Sequence, residues 1–201
     1  MKEALFKIII FIITLNFCFS SDLNLSSYDF VNIDIVPLEI SKNNFGIRNS
    51  NVSEENRFFF QSQNWVAENL YLFGSFSPSL KGNINIIYNV NVGYQKKIEN
   101  KNFKNIIYDF GYYYKRFEDE EDRHKWVSFS MIGDIIIRKI HFLPSLTYIF
   151  NNTPSDKLSK SFLTLDFLKD INKNLLFKFG FKLYKETDYE AFPCISIKYK
   201  I

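Results

Sequence analysis

The stretch from Leu175 to Leu183, LLFKFGFKL, has a large apolar residue at every odd position and Leu, Lys, Gly and Lys at the even ones. Successive side chains of a β-strand point to opposite faces, so this pattern predicts a strand with one apolar face. After a polar turn at 186–190, residues 194–201 (CISIKYKI) repeat the alternation. The two segments predict a hairpin whose apolar face needs either lipid or a packed core.

The same alternation extends backwards over most of the chain. It predicts eight strands, separated by polar turns, at residues 65–76, 83–94, 104–117, 124–136, 140–150, 159–168, 174–185 and 191–201. Several such strands with turn signals between them favour a barrel or a sandwich. Pro144 and Pro193 lie inside two of these strands, where we expect β-bulges to absorb the lost hydrogen bonds. Between 22 and 64 the pattern is mixed: we expect a strand from Phe30 to Ile40, a turn at Asn43–Gly46 and a short strand at Arg57–Phe60.

Two architectures share this pattern, and strand length separates them. A soluble barrel or sandwich turns its apolar face inward, whereas an outer-membrane barrel turns it toward lipid. The predicted strands are about as long as the 9–11 residues that a tilted strand needs to cross a bilayer. Aromatic residues also stand near strand ends, as in the interfacial girdles of membrane barrels. They are Tyr88, Tyr94, Tyr112, Tyr114, Tyr148, Phe150 and Tyr199. We therefore favour the membrane barrel.

The N-terminus carries an export signal. Lys2 and Lys7 precede a short apolar run that ends in small and polar residues, so residues 1–20 are predicted to be a signal peptide. The run is shorter than the roughly 20 apolar residues of a spanning helix. After cleavage only Cys194 remains, and an exported chain without disulfides fits a periplasmic or outer-membrane destination. Residues 21–64 then form an extra hairpin or an N-terminal extension that plugs or flanks the domain, and residues 65–201 form the barrel domain.

With this signal, its tandem amphipathic hairpins and its ending Ile195–Ile201, the chain resembles the small outer-membrane β-barrel proteins of Gram-negative bacteria. The resemblance covers residues 65–201. It implies an all-β fold, an antiparallel up-and-down transmembrane barrel of about eight to ten strands, with both termini on the periplasmic side. It also implies recognition by the outer-membrane assembly machinery, although the usual terminal aromatic is replaced by Ile201, with Tyr199 two positions earlier. A hairpin from 29–62 would give the tenth strand and keep the number even.

The alternation assigns side chains to two faces. The lipid-facing band of the last hairpin is predicted to contain Phe177, Phe179, Phe181, Ile195, Ile197 and Tyr199. The predicted lumen residues are Asn85, Asn89, Asn91, Asp109, Lys115, Asp134, Asp166, Lys178, Lys182 and Lys198. Charges buried in a barrel must be paired. We therefore expect a structural network of lysines and aspartates among Asp109, Lys115, Asp134, Asp166, Lys178 and Lys182.

Few residues suggest a catalytic or metal-binding role. His141, Ser145 and Asp166 could be assembled into a hydrolytic trio, but His141 and Ser145 lie four residues apart on one strand, roughly 13 Å. No catalytic or cofactor-binding residue is predicted, and two histidines with one cysteine give no metal-site spacing. The acidic run Glu118–Asp122 favours a solvated loop tip over a cation-binding loop. The net charge of +3 is too small to imply nucleic acid.

These observations favour a monomeric, non-enzymatic barrel in the outer membrane of a Gram-negative-type bacterium. Its expected role is structural, adhesive or surface-interacting, with outer-membrane lipid and the assembly machinery as partners and no cofactor. A soluble periplasmic barrel or sandwich that binds an apolar ligand is the alternative. An outer-membrane lipid-modifying enzyme, or a narrow pore if there are ten strands, comes third.

Overall fold

The computed structural model of this protein describes residues 31, 34–52, 55–78, 84–117, 123–151, 160–185 and 189–201. The predicted signal peptide, the acidic run Glu118–Asp122 and the side chain of Asn85 lie outside the described residues. Among the residues that are described, no helix is long and apolar enough to cross a membrane.

The described chain forms ten strands in sequence order. They are β1 (Asn43–Val52), β2 (Glu55–Ala67), β3 (Leu70–Pro78), β4 (Ile84–Lys97), β5 (Phe103–Phe117), β6 (Arg123–Ile137), β7 (Ile140–Asn151), β8 (Lys160–Asp170), β9 (Leu175–Lys185) and β10 (Tyr189–Lys200). Each strand pairs antiparallel with its chain neighbours, and β1 also pairs with β10, so the sheet closes into a barrel. The predicted all-β, up-and-down barrel is confirmed, with ten strands.

The first hairpin differs from the prediction. It consists of β1 and β2 and covers 43–67, not 29–62. The expected strand at Phe30–Ile40 is wrong over its described part, because residues 34–37 pair with no strand and 38–40 form a turn. The expected turn at Asn43–Gly46 is also wrong, because these residues begin β1 and pair with β2.

The connections are short at the end of the barrel where β1 begins and β10 ends. The predicted strands leave residues 95–103 for the β4–β5 connection, which is long for a periplasmic turn. In the structure β4 continues to Lys97, so the connection is only 98–102. Arg138 and Lys139 join β6 to β7 with φ values of 49° and 70°. Two consecutive positive φ values are typical of the tight hairpin turn whose twist matches that of the strands.

The two prolines are accommodated without bulges. Pro144 is paired with Leu165, and β7 keeps one register with β8 on both sides of it. Pro193 is paired with Phe181 in an equally regular ladder between β10 and β9. On its other side β10 pairs with β1 only from Ile195 onward, so Pro193 lies beyond that ladder. The expectation of bulges at these positions was wrong.

The barrel has an apolar outside and a polar inside. Large apolar side chains are exposed on the outer face of every strand that pairs around the barrel, including Phe45, Phe110 and Leu146. The alternating residues are buried and largely polar, as at Asn91, Ser130 and Lys198. A soluble barrel would require the opposite arrangement of its faces, and a sandwich would require two open sheets. The closed sheet therefore excludes the sandwich, and the apolar outside favours a membrane barrel over a soluble one.

Candidate functional site

The chain preceding β1 enters the barrel lumen. Val31 and residues 34–37 are buried, although none of them belongs to a strand. Ile35 and Val36 pack into an apolar cluster formed by inward-facing Tyr71, Phe73, Ile107, Ile132, Leu143, Leu168 and Leu176. An eight-stranded barrel is just filled by its own side chains. The wider ten-stranded barrel accommodates this additional segment, here called the N-terminal segment (residues 34–41).

Amide side chains of the wall hold the backbone of the N-terminal segment. Gln63 on β2 accepts a hydrogen bond from Val36 N at 2.9 Å and donates one to Val36 O at 2.8 Å. This pair reproduces what a neighbouring strand would offer. Gln95 on β4 accepts a hydrogen bond from Leu38 N at 3.0 Å. These three backbone groups of the segment are therefore satisfied inside the barrel without a β-ladder.

The only carboxylate of the segment's turn, Glu39, is bound by amides. Gln95 Nε2 donates to Glu39 Oε2 at 3.0 Å, and Asn105 Nδ2 donates to the same oxygen at 3.0 Å. Asn105 also donates to Asp134 Oδ2 at 2.7 Å. The second oxygen of Asp134 is hydrogen-bonded to His141 Nδ1 at 2.7 Å. Segment and wall thus share one continuous hydrogen-bond network at this level.

On the opposite side, Asp34 of the segment faces basic residues. Its Oδ2 lies 3.2 Å from Arg48 Nε, and both side chains are 2% exposed. Lys198 Nζ donates to the main-chain oxygen of Asp34. Burial opposes ionisation, but Arg48, Lys198 and Lys178 outweigh it and hold the pKa of Asp34 below its usual value. The N-terminal segment is therefore anchored electrostatically on this side.

A second ion pair lies in the wall itself. Lys178 Nζ on β9 is 2.9 Å from Asp166 Oδ2 on β8. Asp166 is paired across the ladder with Gly180, and a Cβ at Gly180 would collide with the Asp166 carboxylate. Lys182 stands two positions further along β9, with its ammonium 4.4 Å from the Phe162 ring centroid. The glycine provides the space that the pair Asp166–Lys178 requires.

Asp109 is held by neutral donors. Tyr71 Oη donates to Asp109 Oδ2 at 2.7 Å, and Asn91 Nδ2 donates to Oδ1 at 2.7 Å. Asn89 continues the chain by donating to Asn91 Oδ1 at 2.7 Å. The Tyr71 ring fills the space above Gly93, its partner across the β3–β4 ladder, where any side chain would collide with it.

The structure buries all six predicted network residues but divides them. Only Asp166, Lys178 and Lys182 share one region. Asp109 and Asp134 receive hydrogen bonds from Tyr71, Asn and His side chains. Lys115 is buried on β5. Each oxygen of these two carboxylates receives at least one hydrogen bond.

The predicted lipid-facing residues lie on the outer face. Phe177, Phe179 and Phe181 alternate with buried residues of β9. The rings of Phe179 and Phe181 contact each other edge to face, with centroids 4.8 Å apart. Ile197 and Tyr199 are about half exposed, and Ile195 is partly exposed. Similar outward ring contacts occur between Tyr88 and Tyr114 at 4.8 Å.

The residues considered for chemistry do not form a catalytic trio. His141 is bound to Asp134, and Asp166 is bound to Lys178. Ser145 is paired across the ladder with Thr164. Within the described part of the chain, no group of three His, Cys, Asp or Glu residues could hold a metal ion.

Sequence reasoning assigned no lumen residues between 34 and 63 and did not include Gln95 among them. Asp34, Arg48, Gln61, Gln63 and Gln95 were not assigned to the lumen. A signal was present in β1, where Phe45 and Ile47 alternate with Asn44, Gly46 and Arg48. The apolar residues on the polar face, such as Leu176, also indicated that the lumen packs against something apolar.

No protein-family model matches the chain, and no curated protein matches it. Among solved structures, the chain is similar to Ail, the attachment invasion locus protein of Yersinia pestis, with 9% identity and a TM-score of 0.26 over 79% of this chain and 95% of that one. A structure of Ail with the heparin analogue sucrose octasulfate gives 11% identity and a TM-score of 0.25 over 79% and 96%. The strand pairing of this chain itself defines a closed antiparallel barrel, and an apolar outer band around a polar interior is the architecture of small outer-membrane barrels.

Proposed function

We propose that this protein resides in the outer membrane of a Gram-negative-type bacterium and has a non-enzymatic role in structure, adhesion or surface interaction. The observation that carries the proposal is the apolar band that encircles a closed barrel. Exposed apolar patches above a few hundred Å² are rare on soluble monomers. Here exposed Phe, Tyr, Leu, Val and Ile side chains face outward on successive strands around the barrel. Lipid is the medium that such a surface fits.

The filled interior supports a role outside the lumen. The N-terminal segment and large side chains such as Tyr71, Tyr113 and Trp126 occupy the barrel interior. Space for a substrate channel is correspondingly small, so contacts with partners are expected at the loops opposite the termini. One of these loops contains the acidic sequence Glu118–Asp122. Outer-membrane lipid and the assembly machinery are the partners that the barrel itself requires, and a monomer is sufficient because the sheet is closed.

Fractionation tests the location. The full chain is expected in the outer-membrane fraction, extractable by detergent and not by high salt. Its folded form should migrate differently from the heated form on a denaturing gel, because closed barrels resist detergent until they are heated. Recovery in the soluble periplasmic fraction would reject the proposal.

A single substitution tests which face meets lipid. Phe179 lies near the middle of β9 and faces outward, so Phe179→Arg is expected to destabilise the folded barrel by about 2–4 kcal/mol, the cost of arginine near the bilayer midplane. Phe179→Leu is the matched control and should assemble normally. Urea titration of the protein in lipid vesicles measures the difference. Equal stability of both variants would contradict a lipid-facing position.

A further inference from the structure

Charge is distributed unevenly between the two ends of the barrel. At the end where β1 begins and β10 ends, the charged residues comprise ten Lys and Arg but only four Asp and Glu. We call them the basic rim, and they lie in 39–42, 67–70, 96–104, 137–140, 168–175 and at Lys200. The opposite end has eleven acidic and eight basic residues in the sequence of its segments 52–57, 78–84, 116–125, 151–160 and 185–190.

Neighbouring side chains neutralise only part of the basic rim. Glu68 Oε1 lies 4.0 Å from Lys97 Nζ, and Asp170 is paired with Lys200. Glu39 is bound by amides of the barrel. On the side from β4 to β9, six exposed basic residues form no ion pair with any described residue. They are Lys96, Lys101, Arg138, Lys139, Lys169 and Lys173.

Two of these lysines point outward at the edge of the apolar band. Alternation along β4 places Lys96 on the same face as exposed Tyr94, and alternation along β8 places Lys169 on the same face as exposed Phe167. Lys169 is also paired across the ladder with outward-facing Phe177. A lysine in this position lays its methylene stem along apolar surface and keeps its ammonium at the level of the lipid headgroups.

We propose that the basic rim binds the phosphate groups of anionic phospholipids in the adjacent leaflet. Lysine and arginine form strong charge-assisted hydrogen bonds with phosphate, and a cluster of about four to eight basic residues beside a membrane attracts anionic lipid. Lys96 and Lys169 fit this ligand because they extend into the bilayer interface and away from the aqueous space, where a protein or a polymer would dock. The proposal rests on the membrane location proposed above and adds the class of lipid to it.

The test measures the lipid selectivity of the mature chain in phosphatidylcholine vesicles. Traces of spin-labelled phosphatidylglycerol or spin-labelled phosphatidylcholine are added, and electron spin resonance gives the fraction of each that is immobilised at the protein surface. We expect the anionic lipid to associate about threefold more strongly than the neutral one, because only some of the surrounding lipids contact the rim. In about 1 M salt, where the screening length is about 3 Å, the two lipids should associate almost equally.

Two double variants identify the residues that select the lipid. Lys96→Gln with Lys169→Gln removes both outward charges and should lower the preference to about twofold or less. Lys96→Arg with Lys169→Arg keeps both charges and should retain the wild-type preference. A wild-type preference near one, or a preference that the glutamine variant leaves unchanged, would overturn the proposal. If the glutamine variant assembles poorly, the wild-type preference and its dependence on salt decide.

Assembly in the vesicles separates this proposal from the membrane location. If the barrel folds in the vesicles and selects neither lipid, the membrane location stands and the role of the basic rim is wrong. If the barrel folds in no vesicle, both proposals are wrong. Binding to purified peptidoglycan that depends on Lys96 and Lys169, without a preference between the lipids, would overturn the lipid assignment in favour of the cell wall.

Discussion

Buried charges on two walls of the same lumen receive their partners from different parts of the chain. On β4 to β6, Asp109 and Asp134 receive hydrogen bonds from Tyr71, Asn91 and Asn105, which are all supplied by the barrel. On β1 and β9, Arg48 and Lys178 form ion pairs, and the partner of Arg48, Asp34, is supplied by the N-terminal segment. The carboxylates of the first wall are thus bound by the barrel itself, whereas the Asp34–Arg48 pair of the second wall needs the segment in place.

The comparison explains why the N-terminal segment is held from two sides. Gln63 and Gln95 fix its backbone, which any extended sequence could satisfy. Asp34 adds a requirement for one particular residue, because only a carboxylate balances Arg48. The hydrogen bonds therefore define where the segment lies, and the ion pair defines its register. Each prediction below weakens one of the two walls.

The largest effect is expected at the Asp34–Arg48 pair. Asp34→Ala leaves Arg48 buried without its carboxylate, and loss of one member of a buried ion pair costs about 3–5 kcal/mol. Urea unfolding in chloride buffer measures this loss. Glu39→Ala is the control on the same segment, and since Glu39 is largely exposed, its loss should be well below that of Asp34. Equal losses would mean that the two walls hold the segment alike.

A smaller effect is expected at the pair inside the wall. Gly180→Ala places a methyl group where the Asp166 carboxylate lies, so the pair with Lys178 must shift, at a cost of about 1–3 kcal/mol typical of overpacking. Gly74→Ala is the matched control, because a Cβ there meets only the Asn89 main-chain oxygen at 3.9 Å. The same urea titration compares both variants. A neutral Gly180→Ala would show that the pair tolerates displacement.

Much of the outer barrel could be predicted from sequence, and the reason is local. From β4 to β10, a two-residue period and polar turns determine which side chains face lipid, as at Phe179 and Phe181. The N-terminal segment could not be predicted in this way, because Ile35, Val36 and Leu38 give its sequence the apolar character of a strand. Their path depends on Gln63 and Gln95, which are distant in sequence. The partners of Asp109 likewise depend on cross-strand register, which alternation alone does not give.

The wall that contains Asp109 and Asp134 should tolerate substitutions better. Tyr71→Phe keeps the ring over Gly93 and removes one hydrogen bond to Asp109, which retains Asn91. We expect a loss of about 1 kcal/mol, the net value of one hydrogen bond. Asp109→Asn measured alone and together with Tyr71→Phe gives the coupling between the two residues. Additive losses would contradict a direct Tyr71–Asp109 interaction.

The smallest effect concerns pH and again separates the two walls. The pKa of Asp34 is lowered in the fold, so its stabilising contribution is fully present above the ordinary carboxyl value of about 3.9. It is lost only as the pH falls below that value and through the folded pKa, where Asp34 becomes protonated. Hydrogen exchange at the Val36 and Leu38 amides, corrected for intrinsic rates, should therefore show stable protection at neutral pH and a decline below about pH 4. In Asp34→Asn protection should be lower at neutral pH, and the part of the decline that comes from Asp34 should be absent. An unchanged acid decline in that variant would assign it to another carboxyl and would show that the Asp34–Arg48 pair does not retain the segment.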